Sequence, residues 1–489
     1  MAEGFFFLLL HCAFIVTING SPKGAAPPNY IFIVADDLGW NDVGFRNPEM
    51  RTPNLDRLAH EGVILNSSYV QPVCSPSRNC FMSGYFPYRT GLQDGVINVE
   101  QPKFLPLNFT TLPEELNQLG YVSHMVGKWH LGYCNWNYTP TYRGFGSFLG
   151  YYSGEEDYYT HYRADSFQYN GLDFRMDKAP LKTYRGQYSA HVFAERAIDI
   201  IRSHKQNQSL FLYLPFQSVH QPLQVPGEYE ARCGHIQDLH RRIYCGMVNA
   251  LDEAVGNITD ALVETGLMEN LLMVFTTDNG GPTYIAANNL PLRGAKTTLW
   301  EGGTKGTAFI YSKNLLKKKG YLNTEMMHAV DWYPTLIQIA GGDLSKIIDR
   351  DGVGQEDMLL NGGPSKRDGF VYNFYSGQKD RNASAIRYGH LKLIEGSPGK
   401  YNDWTPLPKT GQEPSVMEQD EDFPPYMLFN ISSDPTEHFD LSAKYPELVA
   451  ELKVKLEEWK KRGVPAQDPP KDPKSNPANF GGVWSPGWC

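Results

Sequence analysis

The stretch YIFIVADD, residues 30–37, runs from Tyr30 to Ala35 without a polar residue and ends in two adjacent carboxylates, Asp36 and Asp37. An apolar run with no alternation reads as a strand buried on both faces, as in parallel sheets. Three more apolar, β-branched or aromatic runs end in the same way. YVSHMV (121–126) leads into Gly127, Lys128, Trp129 and His130; LFLYLPF (210–216) into Gln217, Ser218, Val219 and His220; LLMVFTT (271–277) into Asp278, Asn279, Gly280 and Gly281. Helix-like segments lie between them. TPNLDRLAHEG offers Thr52 as N-cap, Pro53 at the first position and Gly62 as stop; TLPEELNQLG offers a Thr111/Glu114 capping box; Asn249 to Gly266 has helical period. Strands alternating with helices predict an α/β fold with a mainly parallel, doubly wound sheet. Such sheets bind ligands at the carboxyl ends of their strands, so the four polar termini are expected to converge on one site. Any one of them alone reads as a solvated turn.

The 489 residues exceed one small core and predict a large domain, 27–364, followed by a smaller one, 365–489. The division falls near NGGPSKRDG (361–369). Beyond it, SAIRYGHLKLIEG and PYMLFNISSDPTEHFDL read as antiparallel strands and turns, PELVAELKVKLEEWKKRG as a helix, and the Pro- and Gly-rich tail from Val464 as irregular surface chain. Residues 1–20 read as a secretory signal; His11, Thr17 and Asn19 cut its apolar run short of a membrane span. N-glycosylation triplets at Asn66, Asn108, Asn137, Asn207, Asn257, Asn382 and Asn430 fit a secreted or lysosomal destination. Of seven cysteines Cys12 leaves with the signal, and Cys233 with Cys245 could close a small loop. A net charge of −9 argues against nucleic acid as a partner.

Cys74 stands in PVCSPSRNCFMSGY (72–85). A disulfide is its bland reading. A zinc site lacks ligands at finger-like spacing, and a thiolate phosphatase loop needs more than the three residues that separate Cys74 from Arg78.

The series Cys74-Ser75-Pro76-Ser77-Arg78, followed by Ser83-Gly84, resembles the signature of type I sulfatases, whose cysteine is oxidised to Cα-formylglycine by the formylglycine-generating enzyme. ADDLGWNDVG, GKWHLG, QSVHQPLQVP, TDNGG, LRGAKTTLWEGG and AIRYGHLKLI extend the match, which is closest to the arylsulfatase B-like branch. The resemblance implies an alkaline-phosphatase-like fold and hydrolysis of sulfate esters through a covalent sulfo-enzyme with one Ca²⁺. By matching position Asp36, Asp37, Cys74, Asp278 and Asn279 hold the ion, mostly through the hard oxygen donors it requires. Arg78 orients the nucleophile, Lys128 contacts the sulfate, His130 is a base, and His220 and Lys296 hold the ester and assist the leaving oxygen. Lys128 and His130, two apart, face one side if extended. A helix beginning after Ser77 would aim N–H groups at an anion.

Phe81 replaces the usual Leu, Ser83 the commoner Thr, and the Asn-Ile-Asp segment expected in this branch is missing before Ala385-Ile386-Arg387. The substrate is expected to be a small aryl or glucosinolate-type sulfate or the N-acetylgalactosamine 4-sulfate of glycosaminoglycans, the acidic balance leaning toward a small ester. Two alternatives stand beside this. A phosphatase or phosphodiesterase of the same superfamily would use Ser or Thr and His-rich zinc sites; an inactive sulfate-ester-binding protein would have lost some of the polar set.

Overall fold

The computed structural model describes residues 26–347, 349–375, 383–404 and 423–489; the expected signal and Asn382 lie outside them. Five parallel strands form the centre of a ten-stranded sheet, in the order Leu271–Thr277, Asn29–Ala35, Ser209–Pro215, Tyr121–Lys128, Ser147–Tyr151. The antiparallel neighbours Ala308–Tyr311 and Arg175–Met176 flank them. Alternate residues of the Asn29 strand enter two cores. Tyr30, Phe32 and Val34 join a cluster that includes Phe81, Trp332 and the C-terminal sheet, whereas Ile31, Ile33 and Ala35 pack under the helices Ser189–Ser203 and Leu239–Glu264. Burial on both faces is why the run shows no alternation.

Register brings the polar termini level. Ala35 lies beside Thr277 and Val34 beside Pro215, so Asp278 N donates to Ala35 O at 3.2 Å and Asp36 N to Ser218 O at 2.9 Å. The Ser147 strand was not legible in the sequence because glycine interrupts it. At that position a Cβ on Gly150 would lie 2.0 Å from Gly127 O, and one on Gly127 2.0 Å from Pro215 O, so only glycine lets these strands close together.

The Thr111/Glu114 capping box is present on helix Leu112–Gln118, with Thr111 N donating to Glu114 Oε2 at 2.6 Å. Thr52 precedes helix Pro53–Glu61 without capping it; its hydroxyl donates to Asp56 Oδ1 at 2.8 Å instead. The long helix begins at Leu239 rather than Asn249 because Asp238 accepts from Arg241 N at 2.8 Å.

Downstream, Gly369–Phe374, Ser384–Tyr388, Leu391–Glu395 and Tyr426–Asn430 form a four-stranded antiparallel sheet, against which helix Pro446–Lys460 packs. This sheet is joined to the large one by buried charges. Lys392 Nζ lies 3.1 Å from Glu301 and 2.7 Å from Glu437. The stretch read as a divider is itself tied in, with Arg367 paired to Asp331 Oδ2 at 2.7 Å.

The tail is irregular, as its composition predicts, but it is not merely draped on the surface. Trp484 is buried and donates to Arg163 O at 2.8 Å, and Cys489 is disulfide-bonded to Cys134. Cys233 pairs with Cys245, while Cys74 and Cys80 are free and buried. No helix among the described residues is long and apolar enough to cross a membrane.

Candidate active site

Cys74 is the first residue of helix Cys74–Ser83, not a residue upstream of a helix starting after Ser77. Pro76 fits the first turn, where a backbone N–H has no helical partner to lose. Ser77 Oγ accepts from Gln71 N at 2.9 Å, fixing the chain that enters the helix. Residue 74 therefore sits at the positive end of a buried helix, facing the strand termini. Its Sγ lies 3.5 Å from Asp36 Oδ1. Burial and Asp278 push the thiol above its ordinary range, against the pull of Lys128 and Lys296.

The expected residues meet here. Arg78, with no exposed surface, forks onto Asp278 Oδ2 through Nε at 3.1 Å and Nη2 at 2.8 Å, and its Nη1 donates to Lys128 O at 2.8 Å. Lys128 Nζ reaches Asp36 Oδ2 at 2.5 Å. Lys296 Nζ lies 2.7 Å from Asp37 Oδ1, and His220 Nε2 is 3.6 Å from Asp37 Oδ2. Burial alone would raise Asp37, but Lys296 and His220 hold its carboxyl well below the usual range. Asp278 is raised, by burial and by Asp36.

The strand ends at Lys128, and His130 has a left-handed backbone with φ 56°, so the two are not on one side of an extended segment. Lys128 turns to Asp36 while His130 lines the adjoining cavity. His130 Nε2 donates to Ile97 O at 3.0 Å and its buried Nδ1 has no partner among the described residues. His220 Nδ1 donates to Gln221 O at 2.8 Å. Burial keeps both rings neutral, that of His130 well below its ordinary range with help from Lys128, and that of His220 down at about 3 despite Asp37.

Donor atoms of Asp36, Asp37, Cys74 and His220 lie within 4.8 Å of one another, close enough to hold a metal ion. Asn279 Oδ1 is a buried oxygen without a partner among the described residues, while Asn279 Nδ2 donates to Asp37 Oδ1 at 2.7 Å. Hard oxygens thus dominate a site compressed by lysines, which suits a hard divalent cation. The cluster includes His220, which the sequence assigned to the ester, whereas Asp278 spends one oxygen on Arg78.

Above Cys74 opens a cavity of about 340 Å³, whose lining includes His130, His220 and Lys296. The loop Gly95–Val99, Glu155, Arg163, Gln221 and Thr297 complete the wall. These were missed by sequence reasoning. The acid run Glu155-Glu156-Asp157 was a usable signal; the loop, GVINV, had none.

A family model described as Sulfatase matches residues 28–342. The chain is 41% identical over 487 residues to mouse arylsulfatase J, covering 95% of this chain and 81% of the relative. It is 30% identical to human arylsulfatase A over 88% of this chain and 87% of the relative. Among solved structures, the crystal structure of Ps i-CgsB matches with a TM-score of 0.78 at 26% identity, over 90% of this chain and 94% of that one.

Proposed function

This chain belongs to the sulfatase family and is a sulfuric ester hydrolase, and from that premise we propose that residue 74 acts as formylglycine, made from Cys74, beside one Ca²⁺ held by Asp36, Asp37, residue 74, Asp278 and Asn279. The observation that carries the reading is the position of Cys74. It lies at a helix start on the floor of the cavity, with its sulfur among the metal-capable donors.

Hydrated, formylglycine supplies two hydroxyls on one carbon, one to attack sulfur and one to let sulfate go. The ion would hold residue 74 and offset the charge of the sulfate. The chain's own side chains do the rest. Arg78, clamped on Asp278 and 3.5 Å from Asp36, fixes the carboxylates that face residue 74. Lys128 and Lys296 place two ammonium groups against the anionic ester, where little solvent weakens them. His130 Nδ1, the ring nitrogen without a partner, takes the proton that must leave residue 74 for sulfate to depart. His220 Nε2, an acceptor while Nδ1 donates to Gln221 O, takes the proton released by the attacking hydroxyl of residue 74 and hands it to the leaving oxygen. Val73, Ile97 and Val99 shed water from the ester.

A cavity of about 340 Å³ is at the small end of ligand sites, which favours an ester on one ring, such as an aryl sulfate or the end of a short glycan. The arylsulfatase names of the relatives agree with that choice. Turnover of an aryl sulfate, a glucosinolate and disaccharides sulfated on the terminal or the inner ring, measured side by side, tests it: the aryl ester and the terminally sulfated disaccharide should be hydrolysed, and a clear preference for the inner-ring sulfate would contradict it. The exposed triplet residues Asn108, Asn137, Asn207 and Asn257 and the two disulfides support passage through the secretory path.

A further inference from the structure

A second cavity, of about 300 Å³, adjoins the catalytic one; Glu155, Arg163 and Gln221 line both. Glu155 is ion-paired with Arg163, and this pair divides what is otherwise one groove. The two side chains are 20% and 28% exposed, so solvent reaches the divider and a ligand lying across it meets the intact pair. Glu155 is also anchored on the catalytic side, with Oε2 3.4 Å from His220 Nδ1 and 3.3 Å from Gln221 Nε2.

The far half of the groove has an acidic character. Arg163 is the only cation among the described residues of its lining, and Glu155 neutralises it. Asp157 remains ionised: burial opposes this, but hydrogen bonds from Gln224 and Thr160 outweigh it. Glu156, which lines the cavity, is 1% exposed and pairs with His161 through Oε1 at 3.1 Å; burial pushes its carboxyl up to about 8 against the pull of His161, and its Oε2 has no partner among the described residues. The Glu156–His161 pair thus adds a polar group to the cavity wall but no net negative charge, which leaves Glu155 and Asp157 to set its sign.

We propose that this second cavity receives the part of the substrate beyond the sulfated ring, and that Glu155 and Asp157 select a neutral or ammonium-bearing group there over a carboxylate or a second sulfate. The orientation of the substrate rests on the sulfatase reading; the charge preference does not. One misplaced unit charge at contact distance costs about fivefold in affinity in water, more where the walls exclude solvent.

The test uses three two-ring phenols whose far ring carries an aminomethyl, a hydroxymethyl or a carboxylate group, titrated calorimetrically into the full chain. Their sulfate esters are assayed in parallel. The aminomethyl and hydroxymethyl probes should bind about fivefold or more tightly than the carboxylate. Glu155→Gln, which releases the charge of Arg163, and Asp157→Asn should each narrow that gap. Equal or tighter binding of the carboxylate probe, binding of none, or a gap unchanged in both variants overturns the proposal. The expected binding order without turnover of any ester upholds the subsite and contradicts the catalytic reading instead.

Discussion

One side of the catalytic cavity is made by strand ends and the other by chain that the C-terminal tail holds in place. On the first side Asp36, Arg78, Lys128 and Asp278 have no exposed surface and bind one another within the frame of the sheet. On the second, Gln467 Nε2 donates to Thr90 O at 2.9 Å and Phe104 O at 3.1 Å, Lys471 Nζ lies 2.7 Å from Glu100, and Trp484 holds Arg163 O. These contacts flank the loop Gly95–Val99 and the divider of the groove, and the Cys134–Cys489 disulfide ties the end of the tail to the segment that follows His130. Charged chemistry thus sits where the fold is hardest to deform, and the substrate-facing wall hangs on hydrogen bonds and one covalent tie. Substitutions on the two sides should fail differently.

The largest effect is expected from Asp36→Ala and Asp278→Ala. Each leaves a buried cation without its partner, costing about 3–5 kcal/mol, and removes an anionic oxygen from the metal set. Activity should fall by more than about a hundredfold and bound calcium should be lost in metal analysis. Stoichiometric zinc in the wild type would point instead to phosphatase-like chemistry.

Cys489→Ser should cost less. Losing a disulfide removes about 2–5 kcal/mol, and the loosened wall should raise KM several-fold while kcat changes little. A collapse of kcat with KM unchanged would mean that the tail supports the strand ends rather than the wall. Gln467→Ala should be milder again, with three hydrogen bonds of about 1 kcal/mol each at stake, and should move KM in the same direction.

The same contrast explains what could be read from the chain. The strand termini are legible because apolar runs end abruptly in Asp, Asn, Lys or His, a pattern that survives folding unchanged: the sequence alone puts Asp36, Lys128, His220 and Asp278 at one sheet edge. The tail is not. Its grip comes from Gln467 and Trp484 on backbone carbonyls and from a disulfide spanning 355 residues, none of which leaves a periodic trace. The acid run Glu155-Glu156-Asp157 is a signal for the wall, but a solvated turn has the same composition. The helix that carries Cys74 starts there and not after Ser77, with Pro76 in its first turn, where a missing N–H costs no helical bond.

The smallest effect concerns the junction of the two sheets. Burial and Glu301 push Glu437 up to about 7 against the pull of Lys392, from an ordinary 4.5. A raised folded value means that its contribution to stability is complete below about pH 4.5 and is lost as pH rises through 7. Glu301 is held down at about 2, because Lys392 and Lys305 outweigh its burial, and so does not titrate in that window. The melting temperature should therefore be higher at pH 5 than at pH 7.5, by about 2 °C from this group, and Glu437→Gln should reduce the slope. An unchanged slope in the variant would remove Glu437 from the account.

The state of residue 74 tests the central claim most directly. Mass spectrometry of the peptide carrying residue 74, taken from secreted protein that hydrolyses an aryl sulfate, should find the aldehyde or its hydrate in place of the thiol, and Cys74→Ala should fold but turn over nothing. An intact thiol or a disulfide at residue 74 in such an active preparation would contradict the mechanism.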